Sequence, residues 1–123
     1  MFDFQLRSEI TEDGVHVIAV TGEVDLFTAP DLRQAASDAI DAGAQCVVVD
    51  LTDTRFLDST GLGVLIGIAK RVRPAGGDLA IVNTDETTAN TFAITGIDGV
   101  IPIARTRAEA LQALRDAGAI RTR

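Results

Sequence analysis

The residues best suited to chemistry are an acid and two hydroxyl residues that precede an apolar segment. Asp58, Ser59 and Thr60 lie in the stretch "RFLDSTGLGVLIG", residues 55–67. An aspartate at this place is a favoured helix N-cap, because its carboxylate accepts a free backbone N–H of the first turn. The Ser59 hydroxyl would then stand at an exposed helix start, as a helix-cap neighbour, a nucleophile or a group that another protein modifies.

A catalytic role for Ser59 requires a base, normally histidine, that a third group orients. The only histidine, His16, falls in a predicted strand as a partly buried residue, and "DSTG" is not the G-x-S-x-G nucleophile motif. A small hydrolase is therefore the weakest alternative. Asp50, Asp53 and Asp58 lack His or Cys neighbours at ligand spacing, and no phosphate-binding glycine motif is present. We expect no metal and no cofactor.

The remaining reading is that the Ser59 hydroxyl is phosphorylated. Phosphorylation adds roughly -1.5 to -2 charges at neutral pH. A helix N-terminus favours such a charge by about 0.3–1 kcal/mol, so the fold should survive. A docked partner should not tolerate it, since two like charges about 6 Å apart at an effective dielectric near 20 repel by roughly 2–3 kcal/mol. Beside Asp58, Ser59 suits a binding switch that leaves the fold intact.

Composition bounds the class of protein. The chain has 123 residues, of which 46% are hydrophobic and 24% charged, so we expect one globular domain over residues 1–123. A net charge of -7 and 4% aromatic residues argue against nucleic acid as a partner. The start does not resemble a signal peptide, and the longest apolar segment, residues 61–69, is too short to span a bilayer. A cytoplasmic protein without membrane contact is expected, with Cys46 buried in an apolar run.

The elements that would position Ser59 follow from hydrophobic periodicity. Alternation of Phe2, Phe4 and Leu6 with polar residues predicts a half-exposed strand, which a turn at residues 12–14 joins to an antiparallel strand at 15–22. The later elements are predicted as a helix from the capping box Thr28–Asp31 to Gly43, a buried strand at 45–51, a helix after Asp58, a strand at 78–83, a short helix at 85–95, an edge strand at 100–104 and a helix opening at the capping box Thr106–Glu109. The order β-β-α-β-α-β-α-β-α predicts an α/β fold whose mixed, mostly parallel sheet starts with an antiparallel hairpin and is flanked by about four helices.

Glycines interrupt the predicted helix after Asp58. Each of Gly61, Gly63 and Gly67 weakens a helix by up to about 1 kcal/mol relative to alanine, which implies close approach of either the neighbouring sheet or a second molecule. We expect Gly67 to face the sheet and Gly61 to lie near the exposed end. The predicted buried stripe of this helix is Leu62, Leu65, Ile66 and Ala69.

Two segments together carry a family resemblance. "GEVDLFTAPDLR", residues 22–33, followed by "VVVDLTDTRFLDSTGLGVLIG", residues 47–67, closely resembles the STAS domains of bacterial anti-sigma factor antagonists, as does "TGIDGVIPIARTRAEAL", residues 95–111. The resemblance implies a mixed sheet flanked by helices. It also implies a protein that binds an ATP-binding anti-sigma factor serine kinase and thereby frees a sigma factor. That kinase would inactivate it by phosphorylating the serine after the motif aspartate, and a serine phosphatase would reverse this.

The resemblance assigns Ser59 as the phospho-acceptor and places Asp25 in the loop beside it at the binding surface. Leu26 and Phe27 depart from the small or polar residues common in that loop, and either extend an apolar contact with the partner or tuck under the first helix. The expected partner-binding residues are Asp25, Leu26, Phe27, Thr28, Leu57, Asp58, Ser59, Thr60, Gly61 and Leu62. A monomer is the expected state. The competing function within the fold is a STAS adaptor without a switch, in a stress-signalling assembly or in lipid transport.

Overall fold

Six strands and four α-helices make up the fold in the computed structural model, which describes residues 3–120; Phe2 lies outside them. The strands are β1 (Gln5–Ile10), β2 (His16–Val24), β3 (Cys46–Asp50), β4 (Thr54–Leu57), β5 (Asp78–Val82) and β6 (Ile103–Ala104). The helices are α1 (Ala29–Asp41), α2 (Ser59–Val72), α3 (Glu86–Thr95) and α4 (Arg107–Asp116). No helix within residues 3–120 has the length and apolarity that a membrane crossing demands.

The strands form one mixed sheet in the order β1-β2-β3-β5-β6, with β4 paired to the end of β2. Only the pairing of β1 with β2 is antiparallel, as predicted for the hairpin. The other pairings within the described residues are parallel. The predicted mixed sheet with an N-terminal hairpin and flanking helices is therefore confirmed. Pro102 immediately precedes the short edge strand β6, where proline is tolerated.

Both faces of the sheet are covered, which explains the continuous apolar run of β3. Every residue of β3 is buried. Val47 and Val49 pack in a cluster with α1, α2 and α3, whereas Cys46 and Val48 face α4. The Cys46 thiol is buried as predicted, lies 3.2 Å from the carbonyl oxygen of Ala119, and has its pKa raised by burial.

β4 has no counterpart among the predicted elements, so the predicted order lacked one strand. Only Thr54 and Leu57 of its four residues are buried, a pattern that does not separate a strand from a loop. Its pairing with β2 also depends on a register shift between Gly22 and Glu23, a bulge-like irregularity that local sequence does not reveal.

The two predicted capping boxes have different outcomes. At α1, Thr28 is the N-cap residue but its side chain caps nothing, because the preceding loop uses the hydroxyl. At α4, the Thr106 hydroxyl accepts a hydrogen bond from the Glu109 N–H at 3.1 Å. The Glu109 carboxylate reaches back to the N–H of Arg105.

Candidate functional site

Parallel pairing of β2 with β4 brings the two motif segments together. Val24 and Leu57 are register partners on these strands, and the Asp58 N–H donates to the Val24 carbonyl at 3.0 Å. Asp25 and Asp58 therefore leave the same edge of the sheet, each directly after a paired residue. The loop of residues 25–28 and residues 58–60 at the start of α2 form one surface, which we call the switch surface.

Asp58 is the N-cap of α2, as the sequence predicted. Its carboxylate accepts a hydrogen bond from the Gly61 N–H at 3.0 Å, and its carbonyl accepts one from Leu62 at the same distance. Ser59 is the first residue of the helix and is exposed. Among residues 3–120, the Ser59 hydroxyl makes no hydrogen bond and is open to solvent.

Hydrogen bonds hold the 25–28 loop in one conformation. The Asp25 carboxylate accepts from the N–H groups of Phe27 and Thr28 at 2.9 and 3.0 Å. The Thr28 hydroxyl accepts from the Asp25 N–H at 2.9 Å and donates to the Glu23 carbonyl at 2.7 Å. The loop is thereby fixed by its own polar groups and leaves its apolar side chains free.

Leu26 and Phe27 project into solvent. Their exposed fractions are 66% and 85%, so the alternative in which they tuck under the first helix is wrong. Exposed apolar side chains of this size on a fixed loop are typical of a protein interaction site.

The glycines of α2 have roles opposite to those expected. Gly61 is buried, and a Cβ atom at this position would meet the side chains of Leu57 and Val24. At Gly63 and Gly67 a Cβ would meet nothing within 4 Å, and both are exposed. The helix is rotated by about one residue relative to the predicted stripe, because its N-terminus sits against β2 and β4. Its buried residues are Gly61, Val64, Leu65, Ile68, Ala69 and Val72.

The predicted partner-binding residues thus fall into two groups. Leu57 and Gly61 are buried and support the switch surface from below. The others are half-buried or exposed, and belong to the 25–28 loop or to the first turn of α2. Phe56 was not among the predicted residues; it is 51% exposed and pairs with Glu23 of β2. A phenylalanine two residues before the N-cap was the only signal, and it required knowledge of β4.

His16, the single histidine of the sequence, lies far from the Ser59 hydroxyl. His16 begins β2, and the strand spans about 26 Å from His16 to Val24. Ser59 lies beyond the far end of the strand, two residues after Leu57, which pairs with Val24. The Asp58 carboxylate is committed to the helix cap. Within residues 3–120, no group of three or more His, Cys, Asp or Glu residues could hold a metal ion. Among residues 3–120, the Ser59 hydroxyl is exposed and no hydrogen bond joins it to a basic group.

A separate charged cluster lies where β3 ends. Asp50 accepts hydrogen bonds from the N–H and the hydroxyl of Thr52 at 3.0 and 2.5 Å, and from Arg107 Nε at 2.7 Å. Burial raises the pKa of the Asp50 carboxyl, but these hydrogen bonds outweigh it and leave the pKa lowered. The cluster ties the start of α4 to the sheet.

Comparison with known proteins agrees with this architecture. Residues 8–110 match the family profile of the STAS domain. The chain is 37% identical over 86 residues to an anti-sigma-B factor antagonist of Bacillus subtilis, an alignment that covers 70% of this chain and 78% of that protein. A crystal structure of an anti-sigma factor antagonist from Mycobacterium paratuberculosis superposes with a TM-score of 0.83 at 31% identity, covering 93% of this chain and 96% of the other. The structure of the Bacillus cell fate determinant SpoIIAA in its phosphorylated form gives 0.68 at 26% identity, covering 92% and 100%.

Proposed function

The chain belongs to the STAS domain family, and from that premise we propose that it is an anti-sigma factor antagonist whose binding to an anti-sigma factor kinase is switched off by phosphorylation of Ser59. Its relatives in Bacillus and Mycobacterium carry the name of antagonist. The unphosphorylated chain would bind the kinase and release the sigma factor, and a serine phosphatase would restore this state. In this role the chain is a substrate of both enzymes and has no catalytic activity of its own. Release of a sigma factor requires the compartment of RNA polymerase, so we propose a cytoplasmic location.

The observation that carries this proposal is the exposed Ser59 hydroxyl at the N-terminus of α2, next to a fixed loop with exposed apolar side chains. A kinase can reach the hydroxyl without unfolding the helix. A phosphorylated structure is known for SpoIIAA, which shares this fold. The same surface can therefore serve both as the kinase substrate and as the docking site.

The switch would work through charge. Asp58 is the neighbour of Ser59, and Asp25 lies on the adjoining loop, so the switch surface already carries two acidic residues. A phosphate adds roughly -1.5 to -2 charges. At about 6 Å from an acidic group of the partner and an effective dielectric near 20, each unit of this charge costs roughly 2–3 kcal/mol of binding free energy. This corresponds to about a hundredfold loss of affinity.

The experiment is a pull-down from lysate of the source organism with two baits, Ser59→Ala and Ser59→Asp, followed by reconstitution with the captured kinase. We expect the Ala bait to capture an ATP-binding kinase and the Asp bait to lose it. With Mg-ATP, that kinase should phosphorylate the wild-type chain and the Thr60→Ala control, but not Ser59→Ala. Calorimetric titration should give about a hundredfold weaker binding for the phosphorylated chain.

Other outcomes contradict the proposal. Equal capture of transport or scaffold proteins by both baits would indicate a STAS adaptor without a switch. Turnover of acyl or phosphoryl substrates that disappears in Ser59→Ala would indicate a hydrolase. Phosphorylation that persists in Ser59→Ala and vanishes in Thr60→Ala would move the acceptor to Thr60.

A further inference from the structure

The outer edge of β1 is an unused strand-pairing surface. β1 lies at one end of the sheet and, within residues 3–120, pairs with β2 alone. Five of its six residues are exposed, and only Leu6 is half-buried. An edge strand presents a row of unpaired N–H and C=O groups that can pair with another strand.

The side chains of β1 have two distinct faces. Leu6, Ser8 and Ile10 share the face that carries the helices α1–α3, since their register partners on β2 include core residues of that cluster. Arg7 and Glu9 lie on the opposite face. Ile10 is 66% exposed, and no packing within the fold accounts for an isoleucine at this position.

A second copy of β1 fits this edge in one antiparallel register. Outward N–H and C=O groups meet only if residues of like parity stand opposite each other. With Ser8 opposite Ser8, Arg7 faces Glu9 of the second copy and Leu6 faces Ile10. The two nearest other registers of the same parity place Arg7 opposite Arg7 or Glu9 opposite Glu9. Both are unfavourable like-charge pairs. The sequence "QLRSEI" is thus self-complementary in a single register.

We propose that β1 is a homodimerisation edge, at which two copies of this chain form a continuous sheet about a two-fold axis at Ser8. Glu9 already accepts a hydrogen bond from Arg107 through Oε1 at 3.0 Å, and its second oxygen is available to Arg7 of the other copy. The contact involves none of the switch-surface residues, so it stands independently of the proposed function.

The dimer should be weak and dependent on salt. Six residues per copy bury less surface than the interfaces of permanent dimers. Each copy carries a net charge of -7, and the resulting repulsion is screened as ionic strength rises. Salt also screens the Arg7–Glu9 attractions, so association should respond to ionic strength through both effects and should appear only at high protein concentration.

A charge-swap experiment tests the register by sedimentation equilibrium over a concentration series. Arg7→Glu places Glu against Glu9, and Glu9→Arg places Arg against Arg7. Each single variant should weaken dimerisation by about tenfold or more, because two attractive pairs become repulsive. The double variant should restore dimerisation. Arg33→Glu, a charge reversal at an exposed site on α1, is the matched control and should leave dimerisation nearly unchanged.

Crosslinking tests the axis directly. Ser8→Cys should form an intermolecular disulfide under mild oxidation, because opposed Cα atoms about 4.5–5.5 Å apart suit that bond. Arg7→Cys is the control, since the Arg7 positions of the two copies would lie about 8 Å apart, too far to be bridged. A chain that stays monomeric up to about 1 mM, as the sequence led us to expect, would overturn the proposal. A dimer that ignores the single swaps, or that the double swap does not restore, would also overturn it. Circular dichroism confirms that each variant is folded.

Discussion

Gly61 tests whether the start of α2 is positioned by close packing on the sheet. The substitution Gly61→Ala adds one methyl group, which would meet the Val24 side chain at 2.8 Å and also contact Leu57. Both neighbours are buried, so neither can swing into solvent. Forcing an extra methyl group into a packed core costs about 1–3 kcal/mol.

The same substitution elsewhere on the helix supplies the control. Gly63→Ala and Gly67→Ala add a methyl group where no atom lies within 4 Å. Each should gain helix propensity of up to about 1 kcal/mol without a clash. Because that gain is common to all three variants, the difference between Gly61→Ala and Gly63→Ala isolates the packing cost. Gly61→Ala should be less stable than Gly63→Ala by about 1–3 kcal/mol.

Urea denaturation followed by circular dichroism measures these differences. Since a chain of this size shifts its Tm by roughly 4 °C per kcal/mol, thermal melts should separate the variants as well. Stability of Gly61→Ala equal to that of Gly63→Ala would refute the inference that the buried glycine sets the distance between α2 and the strands. Loss of stability at Gly63 would refute the open environment assigned to it.

Two further perturbations test the switch surface and the Asp50 cluster. Phe27→Ala should leave the free energy of unfolding within about 0.5 kcal/mol of wild type, because the side chain is exposed. It should weaken kinase binding by about tenfold or more, as measured by calorimetry. Ile94→Ala, equally exposed on α3, is the control and should change neither quantity. Asp50→Asn should cost about 1–3 kcal/mol at neutral pH through the lost charge to Arg107. Because the folded-state pKa of Asp50 is lowered, its stabilisation is present above its ordinary pKa and is lost as the pH falls through the folded value. The difference between wild type and Asp50→Asn should therefore shrink in urea denaturation experiments below about pH 4. A difference independent of pH would contradict the ionised Asp50 contact.

The elements that could be predicted are those whose signals are local. α3 begins after the N-cap Asp85 and ends before the C-cap Gly96, so both ends are encoded by the capping residues themselves. The buried run of β3 was likewise identifiable from its composition. β4 was not, because a four-residue strand is stabilised by its pairing with β2 and has no pattern of its own.

The candidate site likewise combines features that local sequence specifies with features that depend on tertiary contacts. The exposure of Ser59 followed from an N-cap residue and its neighbours, which local sequence specifies. The roles of Gly61 and Gly67 were reversed in the prediction, because the rotation of α2 depends on where β2 and β4 place its first turn. The Thr28 hydroxyl was expected to cap α1, yet it bonds to Glu23, a choice that only the path of the loop determines.

The features that local sequence did not predict all depend on tertiary contacts that also build the switch surface. β4 pairs with the end of β2, so the 25–28 loop that follows β2 lies beside the start of α2 that follows β4. The hydrogen bond from the Asp58 N–H to the Val24 carbonyl fixes the two segments to each other. The Asp58 cap holds the first turn of α2, and the Asp25 hydrogen bonds hold the adjoining loop. None of them uses the Ser59 hydroxyl. The phosphorylation that we propose at Ser59 would therefore break none of these hydrogen bonds. If the proposed switch acts through charge at an unchanged surface, the effect of a phosphate on binding should diminish with added salt while the stability of the fold stays nearly constant; an effect that salt leaves unchanged would contradict a switch based on charge.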